Sequence, residues 1–231
     1  MFGTGVLSGL VDGIDEYRAG LERQPYRSRS LGPALLGAFH RLDDEELVER
    51  IAGYPAACVV IRDEPHALPT QVELLRDAAK RSAGFPAGAL PGLPGLALAA
   101  KGRPPVAGPA SPMADVRLSA LRTLGGASGE DEGDGAAPAL HTKMLMVGEL
   151  WWHDEATLGK AADVAEFTPH RLWLGSANGT ARSRADLEFG LWLDDRGLLE
   201  TARQFMVQLL ARSEDWNPDG AAPAPGLTAQ A

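Results

Sequence analysis

Three short stretches of the chain each carry a polar pair two residues apart. The first is Leu140-His141-Thr142-Lys143, which runs on into Met144-Leu145-Met146-Val147. The second is Gly175-Ser176-Ala177-Asn178, which follows Leu172-Trp173-Leu174. The third is Asp186-Leu187-Glu188, which leads into Phe189-Gly190-Leu191-Trp192-Leu193. Residues i and i+2 of a strand point to the same face. The first stretch then sends His141 and Lys143 one way, above Leu145 and Val147, and sends Thr142, Met144 and Met146 the other way. Both faces of such a strand look covered, and a lysine is rarely buried without a partner.

Together the pairs supply an imidazole, an ammonium, a hydroxyl, an amide and a carboxylate. That set suits a phosphate diester. Lys143 and Asn178 can neutralise and bond its non-bridging oxygens, Ser176 can add a donor, and His141 can act as nucleophile. Glu188 can accept the other imidazole N–H and hold the ring's orientation.

His141-Thr142-Lys143, then Gly175-Ser176-Ala177-Asn178-Gly179-Thr180, then Asp186-Leu187-Glu188 resembles the signature of the phospholipase D superfamily: His-x-Lys, Gly-Ser-x-Asn and a downstream glutamate. The resemblance spans residues 115–212. It implies an α/β fold, a phospholipase D-like α-β-α sandwich in which a mixed central sheet carries helices on both faces. It also implies a covalent phosphohistidine on His141 and a second copy of the motif that protonates the leaving group. Two features depart from the family pattern. Gly148 stands where an aspartate usually follows the lysine by five residues, with Glu149 beside it, and the stretch from Glu149 to His170 between the two motif halves is long. The chain holds no second His-x-Lys. A symmetric homodimer would bring a second His141 across a two-fold axis.

Composition bears on the substrate. The 231 residues fit one domain and suffice for a substantial core. Net charge is −9, which argues against broad coating of nucleic acid but leaves room for a local basic groove. Cys58 stands alone, within Ala56-Ala57-Cys58-Val59-Val60-Ile61, and reads as a small core residue. With one cysteine, no basic leader and no long apolar run, the sequence points to a cytoplasmic protein without an integral membrane segment. The expected activity is a nuclease-type phosphodiesterase that needs no cofactor and no metal, with nucleic acid a better substrate than phospholipid. A phospholipid hydrolase or phosphatidyl transferase is the alternative with the same chemistry. A non-catalytic binding or structural module is the alternative without it.

The elements that must position these residues are legible in outline. Residues 1–32 form an N-terminal segment, in which Val6, Leu10 and Ile14 are spaced for one short helix or which lies across the domain surface; residues 33–216 form the single domain; residues 217–231 form a disordered tail rich in Pro and Ala. His40, after an apolar run, reads as a helix-end or packing histidine. Asp43 caps a helix that displays Leu47, Val48 and Ile51. A strand follows over 56–61, then a helix over 71–82, a Pro/Gly/Ala-rich stretch over 85–112 and a strand over 116–120. His66 lies in a loop, and the acidic glycine-rich run 125–135 reads as a solvated loop. The last helix, 198–212, puts Leu199, Ala202, Phe205, Met206 and Leu209 on one face.

Overall fold

The computed structural model describes residues 1–24, 29–62, 68–93, 97–98, 117–124, 140–157, 160–218 and 227–228. The strands in chain order are β1 (Phe2–Gly3), β2 (Ser30–Phe39), β3 (Ala56–Arg62), β4 (Phe85–Pro86), β5 (Ala97–Leu98), β6 (Arg117–Leu118), β7 (Leu121–Leu124), β8 (Lys143–Thr157), β9 (Lys160–Gly175), β10 (Glu188–Leu193), β11 (Glu214–Asp215) and β12 (Leu227–Thr228). The helices are α1 (Val6–Glu22), α2 (Glu45–Ala52), α3 (Pro69–Arg81) and α4 (Arg196–Arg212).

Eight strands make one mixed sheet in the order β1-β10-β9-β8-β2-β3-β7-β11. Strands β2, β3 and β7 run parallel, and the pairs β2–β8, β8–β9 and β9–β10 are antiparallel. The apolar residues of each central strand alternate between two separate cores, as the two-residue period requires. Leu145, Val147 and Trp173 pack with α1, α2 and α3 on one face. Met144, Met146 and Leu172 pack with α4 on the other. The fold is therefore an α/β sandwich with helices on both faces of a mixed sheet, and the partition expected for residues 144–147 holds.

The N-terminal segment belongs to the core. Helix α1 buries Val6, Leu7, Leu10, Val11 and Ile14, and β1 pairs with β10. The long stretch between the motif halves is an antiparallel hairpin: β8 and β9 stay paired from Met144↔Leu174 out to Thr157↔Lys160. Its register shifts between Val147 and Gly148. A side chain at Gly148 would place its Cβ 2.2 Å from the Thr168 carbonyl oxygen and 2.8 Å from the Pro169 Cα. The aspartate of the family pattern has no room there. The neighbouring Glu149 is buried instead and accepts a hydrogen bond from the Ser30 hydroxyl at 2.5 Å.

Several local expectations shift. The cap of α2 is Asp44, whose carboxylate accepts the Leu47 N–H at 2.9 Å, while Asp43 accepts the Ala181 N–H at 2.9 Å. Phe205 is 40% exposed, because α4 turns Val207 and Leu210 inward instead. Of the strand expected over 116–120 only Arg117–Leu118 (β6) is a strand, β7 begins at Leu121, and Val116 lies outside the described residues. So do His66, the run 125–135 and, apart from 217–218 and β12, the C-terminal tail. Cys58 is wholly buried in β3, and burial pushes its thiol up to about 12, which leaves it inert as a nucleophile.

Candidate active site

Four strand ends meet at one edge of the sheet. Phe39, the last residue of β2, pairs with Lys143, the first of β8. On the other side Met144 pairs with Leu174 near the end of β9, and Gly175 pairs with Gly190 near the start of β10. Of the polar pairs read from the sequence, only Lys143, which opens β8, and Glu188, which opens β10, lie in strands; His141 stands just before β8, Ser176 and Asn178 follow β9, and Asp186 precedes β10. The indole of Trp173 sets the floor. It is fully buried, and a Cβ at Gly175 or Gly190 would come within 2.6 or 2.8 Å of it, so both positions must be glycine.

His141 is exposed just before β8. Its ring lies flat against the ring of His40, with centroids 4.6 Å apart and planes 15° from parallel. His40 follows β2 and is fixed by its Nδ1, which lies 2.8 Å from the Leu140 carbonyl oxygen. A carbonyl only accepts, so Nδ1 carries the hydrogen and Nε2 is the nitrogen left over. The imidazole expected to lean on Glu188 thus rests on a second imidazole. The His40 charge, then burial, then the charges of Lys143 and Arg62 hold the His141 pKa below its ordinary value. A depressed value keeps the ring neutral at physiological pH, the form a nucleophile needs.

Lys143 is half-buried, and its Nζ donates to the His141 carbonyl oxygen at 2.9 Å. An ammonium has three donors, and Lys143 forms no ion pair with a described carboxylate. Ser176 and Glu188 come together directly: the serine hydroxyl donates to Glu188 Oε2 and accepts the Phe189 N–H at 2.9 Å. Ser176 therefore spends its O–H on Glu188, and Glu188 makes no hydrogen bond to His141. Both expected pairings are revised by this contact. Asn178 is half-buried, and its Oδ1 is an enclosed acceptor without a hydrogen-bond partner among the described residues.

The loop that carries Ser176 and Asn178 is tied to the end of β2. Gly179 accepts the N–H groups of Asp43 and Asp44 at 2.8 and 2.9 Å and donates to the Arg41 carbonyl oxygen at 3.0 Å. Arg184 then locks the junction, donating to the Asp44 carboxylate at 2.5 and 2.7 Å and to Glu46 at 2.7 Å. Asp44 is only 3% exposed. Burial pushes its pKa up, but hydrogen bonds from Arg184 and Leu47 and the Arg184 charge together bring it below the ordinary value.

Sequence reasoning missed His40, Arg62 and Arg184. No spacing rule connects them to the motif residues; they join the site only through strand register and the β2–α2 connection.

No protein-family model matches the chain, and no curated protein matches it in sequence. Among solved structures, a phospholipase D family member, Nuc from Salmonella typhimurium, is similar at a TM-score of 0.44 and 11% sequence identity, covering 80% of this chain and 82% of that one. At that identity and score the likeness assigns no role to any residue here.

Proposed function

We propose that the protein is a nuclease-type phosphodiesterase that works through a phosphohistidine on His141. The observation that supports this best is the company His141 keeps. It is a ring biased toward its neutral form, exposed at the sheet edge, with the cations of Lys143 and Arg62 close enough to lower its pKa. A neutral imidazole nitrogen attacks phosphorus, the P–N bond forms, and the bond from phosphorus to the leaving oxygen breaks with its electron pair on that oxygen. Lys143 and the amide nitrogen of Asn178 meet the non-bridging oxygens. Glu188 positions Ser176, whose hydroxyl turns to the phosphate only if it releases the carboxylate. Water then attacks phosphorus, its proton passing to the group that protonated the leaving oxygen, and the P–N bond breaks to return the neutral imidazole.

The leaving oxygen needs a proton, and in this reading it comes from His141 of a second copy: an anionic phosphate between the two rings favours one proton on the pair, so that one ring is neutral and attacks while the other is protonated. An exposed apolar strip beside Glu188 supports such pairing: Phe2, Leu187, Phe189 and Leu191 are 83%, 86%, 43% and 42% exposed along the β1–β10 edge. Among the described residues no helix is long and apolar enough to cross a membrane.

Hydrolysis of bis-p-nitrophenyl phosphate tests the proposal. The wild-type protein should release nitrophenolate. Lys143→Ala should lose two to three orders of magnitude in kcat, about 3–4 kcal/mol for an electrostatic clamp on the transition state. Lys143→Arg should recover little, since a planar fork replaces a compact ammonium poorly. A folded wild-type protein with no turnover, or an alanine variant as fast as wild type, would refute it.

A further inference from the structure

A shallow pocket opens where the ends of β2 and β3 face α3, and its walls include His40, Arg41, Arg62, Gln71 and Trp216 over an aliphatic floor. One face of this pocket is shared with the site already described, because the His40 ring that borders it also stacks on His141. We infer that this pocket is a subsite for the nucleotide next to the scissile phosphate, with Arg62 and Arg41 on its phosphate and Trp216 against its base. The inference rests on the phosphodiesterase reading and names the substrate class as single-stranded nucleic acid.

The chemistry of the walls selects that class. Arg62 is half-buried beside the pocket and forms no ion pair with a described residue. A guanidinium presents a fork of donors that fits phosphate oxygens. Gln71, which lines the pocket, donates an amide N–H to the Leu42 carbonyl oxygen at 3.2 Å. Trp216 is anchored by its own backbone N–H on the Leu121 carbonyl oxygen at 3.2 Å and packs against the α1–α3 core, so its indole is a fixed platform. Bases stack on such platforms with little sequence preference. The chain's net charge of −9 makes diffuse attraction of a polyanion unfavourable, so affinity must come from a few placed cations.

Binding tests the subsite without relying on turnover. A fluorescein-labelled oligothymidylate is titrated against the full-length His141→Ala protein, and against the same protein carrying Arg62→Gln or Trp216→Leu, between about 50 and 200 mM salt. Arg62→Gln should weaken binding and reduce the slope of log K against log salt by about 0.7, the value of one lost single-strand phosphate contact. Trp216→Leu should weaken binding at least about fivefold and leave the slope unchanged, as loss of one stacked base predicts. Circular dichroism confirms that each variant is folded, and Arg62→Gln stands alone as the test if Trp216→Leu is not. An unchanged slope and affinity in Arg62→Gln overturns the subsite, and so does a parent that binds no oligonucleotide. Binding to phosphatidylserine vesicles that Arg62→Gln abolishes, with no oligonucleotide binding, overturns it in favour of a lipid headgroup. Failure of the nitrophenyl ester assay with these binding results intact would instead remove the catalytic reading alone.

Discussion

His141 is marked by what touches it. An imidazole stacked 4.6 Å from another cannot take a proton easily while its neighbour holds one, and Lys143 and Arg62 add to the penalty. The sign of the consequence is fixed. A lowered pKa keeps His141 neutral down to a lower pH, so the acid limb of kcat/KM should lie lower than for an ordinary histidine. His40→Phe keeps a flat ring beside His141 and removes the charge. The His141 pKa should rise, and the acid limb should move to higher pH while the plateau changes less. Following the His141 ring proton signals by NMR across the same pH range checks the shift directly; a titration unmoved by His40→Phe would contradict it. His-x-Lys and Gly-Ser-x-Asn were legible in the sequence as short motifs beside apolar runs that resemble a family signature, although His141, Ser176 and Asn178 lie just outside β8 and β9 and strand periodicity does not relate them. His40 was not, since it meets His141 only through the pairing of β2 with β8, across a sequence separation that no local pattern bridges.

At the scale of elements, the site depends on a clamp. Arg184, in the turn after the Ser176–Thr180 loop, bonds the buried cap of α2, and so fixes that loop against the end of β2. Arg184→Met strands the Asp44 carboxylate in its buried position. The cost at neutral pH should be about 2–4 kcal/mol, below that of a fully buried pair because Arg184 is partly exposed. The folded pKa of Asp44 is depressed, so its contribution is fully present above the unfolded carboxylate value near ~3.9 and is lost as pH falls through the lower folded value. Without Arg184, burial raises that pKa instead. The stability gap between variant and wild type, measured by urea denaturation, should therefore be largest near neutral pH and narrow on acidification. A gap that is constant with pH would show that the pair carries no such role. The strands and most helices could be read from period and capping signals. The one-residue error at the cap arose because Asp43 and Asp44 are adjacent and equally suited, and tertiary contact with Ala181 decided between them. The β8–β9 hairpin escaped notice because its mixed composition between Glu149 and His170 lacks clean alternation, and the shifted register at Gly148 breaks what alternation there is.

At the scale of the whole molecule, an acidic chain gathers His40, Arg41, Arg62, His141 and Lys143 at one end of its sheet, next to the exposed apolar strip of β1 and β10. If a second copy covers that strip and supplies the proton, activity and mass belong together. Specific activity should fall on dilution as dimers dissociate, and mixing His141→Ala with wild type should depress activity below simple dilution, because each mixed dimer lacks one histidine. Constant specific activity from a protein that sedimentation shows to be monomeric would contradict the paired mechanism. Beneath all of this lies the claim that His141 forms a bond to phosphorus, and rapid quenching tests it most directly. Enzyme mixed with a phosphodiester, stopped in alkaline denaturant within a turnover and digested, should yield the peptide bearing His141 with a phosphoryl group that keeps the substrate's remaining ester on its ring, absent from His141→Ala. Turnover with no phosphoryl group on His141 at any quench time, or with the group on another residue, would contradict the account.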